Sequence, residues 1–326
     1  MRFKQLQLLE SQEDAFFLDG IKEFYDVIQA DDSLEVDRKI VSNRRLKSFF
    51  VRKLISFPSL YKFKLNLWDN KKISFTAMIS GDFSVLLPYV IFSRHNYIYM
   101  HDAWPRFQSW IFPLLNFFNI RYVFFSSKQV WQDHLKKDPQ STCKSMWLPE
   151  ALNASEYHFE SYANKTIDVL EFGRIYQEYH DLIQMPLTQA GKNHQYRKQN
   201  LPMLYPDKAS FVQALAKTKI VICVPSDVTH PERAEYISTM TLRYLQAMAS
   251  KCLIVGLMPS DMGELFDYTP ILEIEMHRAA DQLLKIIQNY EMYHPLIERN
   301  HQEVLRKHQW IHRWAIIKQK IEEVHE

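Results

Sequence analysis

Lys219-Ile-Val-Ile-Cys-Val-Pro225 opens the stretch that decides the fold. A polar loop through Thr229-His230-Pro231-Glu232 follows, then Thr239-Met-Thr-Leu-Arg243-Tyr-Leu-Gln246-Ala-Met-Ala-Ser250 and Cys252-Leu-Ile-Val-Gly256. The first piece is short, apolar and β-branched, and Pro225 closes it, which predicts a buried strand. The third carries Leu242, Leu245, Met248 and Ala249 at steps of three and four, the spacing of one helix face. The last is a second buried strand closed by glycine. Strand, helix and strand in succession make a βαβ unit, which requires a parallel sheet covered on both faces. Ligands of such sheets sit at the carboxyl ends of strands and at helix N-termini, where free N–H groups favour phosphate. The hydroxyl-rich loop ahead of the 239–250 helix therefore marks a candidate site.

The same alternation extends in both directions. Upstream, strands are predicted at 73–79, 97–100, 121–125 and 144–148, ending at Gly81, His101-Asp102, Ser126-Ser127 and Pro149-Glu150. Helices are predicted between them at 83–92 (despite Pro88), at 105–118 with Pro105 in the first turn, and from the Ser127 cap through 135. Residues 1–38 read as a strand and a helix at 20–30. The polar, aperiodic segment 151–165 reads as a linker. Beyond it come a strand at 166–172 ending Gly173-Arg174, a helix to about 183, a surface loop at 186–208 with a short strand at 201–205, and a helix at 210–216. After the opening stretch, a helix at 259–266, a strand at 271–274, a helix at 279–289 and helical sequence from 291 to the end complete the chain. The expected division is an N-terminal α/β domain at 1–160, a second at 161–305 and a terminal helix at 306–326.

A length of 326 residues with 47% hydrophobic content supports two cores. A net charge of +2 gives no electrostatic case for nucleic acid. Cys143, Cys223 and Cys252 show no pairing pattern, and the last two lie in apolar strands, which fits buried thiols in a reducing compartment. The N-terminal residues carry no long apolar run, so no secretory signal is expected, and the Asn153 and Asn164 triplets read as chance matches. Only six glycines occur, and Gly81, Gly173 and Gly256 each close an apolar run, where a strand must turn sharply or pack closely.

Residues 38–67 differ from the rest. Arg44, Arg45, Lys47, Arg52 and Lys53, continuing to Lys62 and Lys64, interleave with Phe49, Phe50, Phe57, Tyr61 and Phe63. Such a segment is either a helix lying on an anionic membrane surface or a core-facing helix whose long cations reach past its apolar side to water.

The residues of the opening stretch, Thr229-His230-Pro231-Glu232 and Thr239 to Gly256, resemble the nucleotide-sugar signature of GT-B glycosyltransferases of the group 1 (GT4-like) kind. The resemblance covers mainly residues 166–260. It implies an α/β GT-B fold of two Rossmann-like domains facing a cleft, with the C-terminal helix packing back on the first domain. It also implies a glycosyltransferase whose second domain holds a nucleotide diphosphate-sugar donor. Gly173-Arg174 matches the family's Gly-Arg, where the arginine binds the donor diphosphate and assists the leaving group. Two family glutamates eight residues apart correspond here to Ser238 and Gln246. Gln246 can still hydrogen-bond a ribose diol, whereas Ser238 lacks the carboxylate that contacts the sugar.

Further candidates follow from residue chemistry. Thr239, Thr241 and Arg243 offer hydroxyls and charge at a helix start, for phosphate or for simple capping and pairing with Glu232 or Glu235. Lys192, His194, His230 and Glu232 lie in polar loops on the donor side. His101 and Asp102 end a first-domain strand, where either can deprotonate or hold an acceptor hydroxyl, although Asp102 equally suits capping of the Pro105 helix. No Asp-x-Asp, zinc-ligand spacing, Gly-x-Gly-x-x-Gly, Walker or Gly-x-Ser-x-Gly sequence is present. The expected function is metal-independent, cofactor-free glycosyl transfer from a nucleotide diphosphate-sugar to a glycan or lipid-linked acceptor. The expected place is cytoplasmic, with peripheral contact at the inner membrane face. A nucleotide-sugar epimerase or phosphorylase, and a non-catalytic GT-B partner subunit, are the alternatives.

Overall fold

The computed structural model describes residues 3–12, 19–42, 44–57, 59–60, 72–197 and 204–325, with the side chains of Arg44 and His325 outside that description. Two compact units divide the chain. The first comprises Met1–Pro149, Arg233–Ile237 and Arg313–Glu326; the second comprises Glu150–Glu232 and Ser238–His312.

The first unit holds a six-stranded parallel sheet made of β1 (Gln5–Ser11), β2 (Glu35–Val41), β3 (Ile73–Ile79), β4 (His95–His101), β5 (Ile120–Phe125) and β6 (Lys144–Trp147). Their order is β2-β1-β3-β4-β5-β6. Helices cover its faces, and the central strands are buried on both sides, which is why β3, β4 and β5 read as near-continuous apolar runs. Phe83, Ile98, Met100, Trp104, Ile111, Phe112, Phe118 and Phe125 belong to one core cluster. Strand β2 was not legible as a strand. Its sequence Glu-Val-Asp-Arg-Lys-Ile-Val is that of a polar sheet edge, and it pairs with β1 over its whole length. The 83–92 helix breaks into a tight turn at Phe83–Leu86 and a short helix at Tyr89–Phe92, as the missing N–H of Pro88 requires.

The last helix, Trp310–His325, places its residues from Arg313 onward in this first unit. Trp314 Nε1 donates to Asp31 at 2.8 Å, Lys318 Nζ donates to the same carboxylate at 2.7 Å, and the Trp314 ring meets Phe75 edge-on. Burial opposes ionisation of Asp31, but hydrogen bonds from Lys318, Ser33 and Trp314 outweigh it and hold the carboxyl well below its usual range. Residues 233–237 also return to this unit, burying Ala234 and Ile237 in its core.

The second unit holds β7 (Ile167–Glu171), β8 (His194–Tyr196), β9 (Thr218–Cys223), β10 (Leu253–Gly256) and β11 (Leu272–Glu273), all parallel, in the order β11-β10-β9-β7-β8. Leu170, Val221 and Ile254 pack toward the Lys208–Ala216 and Leu242–Ala249 helices, and Val169, Ile220 and Val255 toward the Gln177–Gln189 and Ala279–Gln288 helices. Gly256 is required by this packing, because a Cβ there would lie 1.7 Å from the Cys223 carbonyl oxygen. Strand β8 lies in what reads as a surface loop. The 239–250 helix is shorter than its periodicity predicts and runs from Leu242 to Ala249. The 259–266 helix is reduced to Met262–Leu265, and the final helical stretch is broken between Lys307 and Trp310. The sequence readings at 61–67 and 201–203 lie outside the described residues.

Candidate functional site

In the second sheet, β7 and β9 are neighbours, yet the chain leaves them in opposite directions, to β8 on one side and to β10 on the other. Loops leaving such a pair of strand ends diverge, and the gap they open is where α/β proteins bind ligands. Gly173 and Arg174 follow β7 at this point, and Val224, Pro225 and Ser226 follow β9. Gly173 takes φ +73, a conformation that costs other residues more, and a Cβ there would press on Arg243 Cδ at 3.2 Å. Arg174 then spans the gap, donating from one guanidinium nitrogen to Ser226 Oγ at 2.7 Å.

Arg243, in the first turn of the Leu242–Ala249 helix, reaches the same place. Its guanidinium donates to the carbonyl oxygens of Arg174 (3.1 Å) and Val224 (3.0 Å), with a longer contact to Phe172 (3.5 Å). The fold thus joins Gly173-Arg174, the β9 end and the helix start through one cation. Arg243 spends its donors on strand-end carbonyls rather than pairing with Glu232 or Glu235. Both of those residues are exposed.

Carboxylates surround the helix start. Thr241 is the N-cap residue but makes no side-chain cap, and its Oγ1 is buried without a partner. Instead Glu150 Oε2 accepts from the Leu242 N–H at 2.6 Å. Asp261 accepts from Thr239 Oγ1 at 2.6 Å and from the Met240 N–H at 2.8 Å. Burial pushes the Asp261 carboxyl up to about 6; the Thr239 and Met240 hydrogen bonds pull it down, and nearby Glu150 adds to the rise. Thr239 therefore stands in the approach loop and not in the helix. Gln246, one turn further along, donates to Tyr157 Oη at 3.0 Å. Ser238 is tied to Ser260, whose hydroxyl donates to the Ser238 carbonyl at 2.8 Å.

Lys192 is half-buried, just ahead of β8. His194 is not displayed in a loop: its ring lies in a buried cluster with Glu171 and His180. Burial works against ionisation of Glu171, but hydrogen bonds from both imidazoles outweigh it and lower its pKa. The Glu171 hydrogen bond raises that of His180.

In the first unit, His101 closes β4 and Asp102 follows with φ +53. Asp102 faces Arg233 at 3.8 Å, and that guanidinium lies 5.6 Å from the Trp104 ring centroid. The His101 ring stacks edge-on against Tyr99. Asp102 is not the cap of the Pro105–Phe117 helix; Trp104 holds that position.

Sequence reasoning missed Ser226, Asp261 and Tyr157 as partners, and read Glu150 only as a strand end. Ser226 had a signal, because it directly follows the proline that closes β9. Asp261 had none, since its role depends on a loop from β10 folding back over the helix start.

Residues 173–319 match the family model described as "Glycosyl transferase-like". Sucrose-phosphate synthase from Thermosynechococcus elongatus superposes with a TM-score of 0.59 at 10% identity, covering 99% of this chain and 98% of that one. HepE from Anabaena, solved with UDP-glucose, gives 0.57 at 12% identity and 98% coverage of both. TarM gives 0.53 at 13% identity, with 85% of this chain matching 58% of that one. The fold is that of these GT-B glycosyltransferases, and the glycosyl transferase-like match lies in the C-terminal half of the chain. None of the curated proteins matches it by sequence. The match to the family model opens on Gly173 and contains Arg174, Ser226, the Thr239–Leu242 approach, Gln246 and Asp261. His101, Asp102 and the basic Arg44–Ile55 helix lie outside it.

Proposed function

We propose that the chain transfers a glycosyl unit from a nucleotide diphosphate-sugar to a hydroxyl of a glycan or lipid-linked acceptor, with no metal in the donor grip. The observation that carries this reading is the Arg174–Ser226 pair at the strand-order reversal of the family-matched unit. A guanidinium that donates to a neutral hydroxyl there can exchange it for a diphosphate oxygen and gain a charge-assisted bond. As the sugar leaves, the same cation stabilises the charge building on the diphosphate. Met240 and Leu242 supply backbone N–H groups once Asp261 and Glu150 give way. Gln246 and Tyr157 offer polar groups to the ribose, and Ser238, Thr239, Thr241, Lys192 and Glu232 complete the proposed donor side. Arg243 acts by fixing the strand ends. On the acceptor side, His101 and Asp102 hold or deprotonate the hydroxyl, with Arg233 keeping the carboxylate oriented.

UDP is the first nucleotide to test, because the HepE structures hold it. A thermal-shift comparison of UDP, GDP and TDP, followed by calorimetry, is expected to find one that binds. Arg174→Ala is expected to weaken that binding by about 1.5–3 kcal/mol. Equal affinity in the variant overturns the role of Arg174. The absence of any nucleotide binding instead favours a non-catalytic partner subunit, the reading that Ser238 and Gln246 support. Labelled donor altered without an acceptor favours an epimerase-like enzyme.

The Arg44–Ile55 helix supports a peripheral membrane contact. Val51 and Leu54 are buried, while Leu46 (77%), Phe49 (61%), Phe50 (44%) and Phe57 just beyond (55%) are exposed beside Arg45, Arg52 and Lys53. Exposed aromatics among cations suit an anionic bilayer surface and not a helix packed on both sides. Lys47 is partly committed elsewhere, donating to the Ser42 carbonyl. Among the described residues no helix is long and apolar enough to cross a membrane. Replacing Arg44, Arg45, Lys47, Arg52 and Lys53 by glutamine is expected to release the protein from anionic vesicles in a flotation assay; continued flotation removes this contact.

A further inference from the structure

Behind the donor strand lies a cluster that glycosyl transfer does not use. Glu171 ends β7 on the face it shares with Val169, in the layer under the Gln177–Gln189 helix. His180 comes from that helix and His194 from β8. The two imidazoles converge on a single carboxylate oxygen: His180 Nδ1 lies 2.6 Å and His194 Nε2 2.8 Å from Glu171 Oε1. All three side chains are at most 7% exposed. The potential ligand atoms lie within 4.8 Å of one another. The second carboxylate oxygen, Glu171 Oε2, is buried and has no hydrogen-bond partner.

A buried carboxylate that crowds two donors onto one oxygen and leaves the other bare is poorly satisfied as a hydrogen-bonded group. The same atoms are well matched to a cation. Two imidazole nitrogens and a carboxylate form a borderline donor set of the kind that holds Zn²⁺. Bonds of about 2.0–2.2 Å place tetrahedral ligand atoms about 3.3 Å apart, so the two nitrogen–oxygen separations of 2.6 and 2.8 Å need open by only about 0.5–0.7 Å. The bare Oε2 then becomes a ligand through bidentate coordination. The cost falls on His194 Nδ1, which takes the proton displaced from Nε2 and has no partner of its own.

We propose that Glu171, His180 and His194 form a Zn²⁺-class metal site that pins β8 and the Gln177–Gln189 helix to the end of β7. The bound ion is structural and lies on the opposite side of the strand from the helix start that faces the donor. The proposal is independent of the glycosyl-transfer reading, because it concerns folding of the sheet edge and not the reaction.

The test uses the full chain stripped with a chelator and titrated with Co²⁺, then with Zn²⁺. One Co²⁺ per chain with visible ligand-field bands, displaced by Zn²⁺, is expected, together with a rise in melting temperature of about 5 °C or more at saturating Zn²⁺. His194→Gln is expected to lose the bands and the shift while retaining the wild-type apo melting profile within a few degrees. Glu171→Gln, if folded, does the same. No stoichiometric Co²⁺ band and no Zn²⁺ shift in the wild-type chain overturns the site, leaving a hydrogen-bonded His–carboxylate–His cluster. Binding by His194→Gln equal to wild type overturns it too. Neither readout requires a glycosyl donor, so failure here is separate from failure of the proposed activity.

Discussion

The two units share one sheet plan and differ at the strand ends. Both run outward from a first strand that has the second on one side and the third on the other. In the first unit the fourth strand ends at His101 and Asp102, a ring and a carboxylate attended by Arg233. In the second, the reversal point is attended by two arginines, one on a hydroxyl and one on main-chain carbonyls. A parallel sheet covered by helices says nothing of which ligand it takes. What distinguishes the two units is the two or three residues after each strand: basic at the end of β7, acidic and aromatic at the end of β4, which suits the diphosphate and hydroxyl roles proposed for them. Within the second unit the two arginines divide the work, and the sharpest predictions test that division.

The largest effect is expected at Arg243. Its guanidinium satisfies carbonyls at the ends of β7 and β9, so Arg243→Ala leaves those oxygens unpaired and opens a gap against Gly173. A loss of about 3–4 kcal/mol in chemical denaturation is expected. Arg174→Ala gives up the bond to the Ser226 hydroxyl and is expected to cost less stability than Arg243→Ala, while weakening nucleotide binding by about 1.5–3 kcal/mol. If the two variants lose stability equally, Arg174 is as structural as Arg243, and the contrast fails.

Asp261 comes next. Its folded value of about 6 lies above the ordinary 3.8 because of burial. Between about pH 4 and pH 6 the folded chain holds a proton that the unfolded chain has released, so this group's contribution to stability falls as pH rises through that window. Above pH 6 the charged carboxylate costs about 3 kcal/mol, and below pH 4 the cost is gone. Asp261→Asn keeps an acceptor for Met240 and a partner for Thr239 without the charge. It is expected to gain about 2 kcal/mol at pH 7.5 and nothing at pH 4. A constant difference across that range means the carboxyl does not titrate there.

How much of this was legible in the sequence follows from burial and locality. The central strands announced themselves because β3, β4, β5 and β9 are apolar on both faces. The edges did not. β2 carries four charges in seven residues, with Asp37-Arg38-Lys39 in a row, and runs into the basic stretch. β8 is three residues of His-Gln-Tyr, and its His194 ring is buried against Glu171, 23 residues away. The site was legible where it is local. Gly173-Arg174 and the run from Thr239 to Gln246 could be placed at a strand end and a helix start from composition alone. What those groups touch could not be read. The carboxylate on Leu242 comes from 92 residues away, and that on Met240 from 21. Arg243 was read as a donor ligand or a partner of Glu232 or Glu235, because no periodicity reveals that a side chain will be spent on three carbonyls.

The smallest effect concerns Glu150. A carboxylate on the first amide of the Leu242–Ala249 helix stands where the positive end of the helix dipole would draw a phosphate. It stabilises the helix start and, on the proposed function, would compete with the diphosphate for the same N–H. Glu150→Gln keeps an acceptor on Leu242 and removes the negative charge, so the repulsion between this residue and a diphosphate disappears. Loss of the charge–dipole contact is expected to cost about 0.5 kcal/mol of stability, and nucleotide-diphosphate affinity is expected to rise about five-fold, or ~1 kcal/mol. Calorimetry of both proteins with the same nucleotide decides it. A weaker complex in Glu150→Gln would mean that the carboxylate grips the ligand, through a ribose hydroxyl, instead of yielding to it. That would move the diphosphate away from the helix start and leave Arg174 to hold it from the other side of the strand-order reversal.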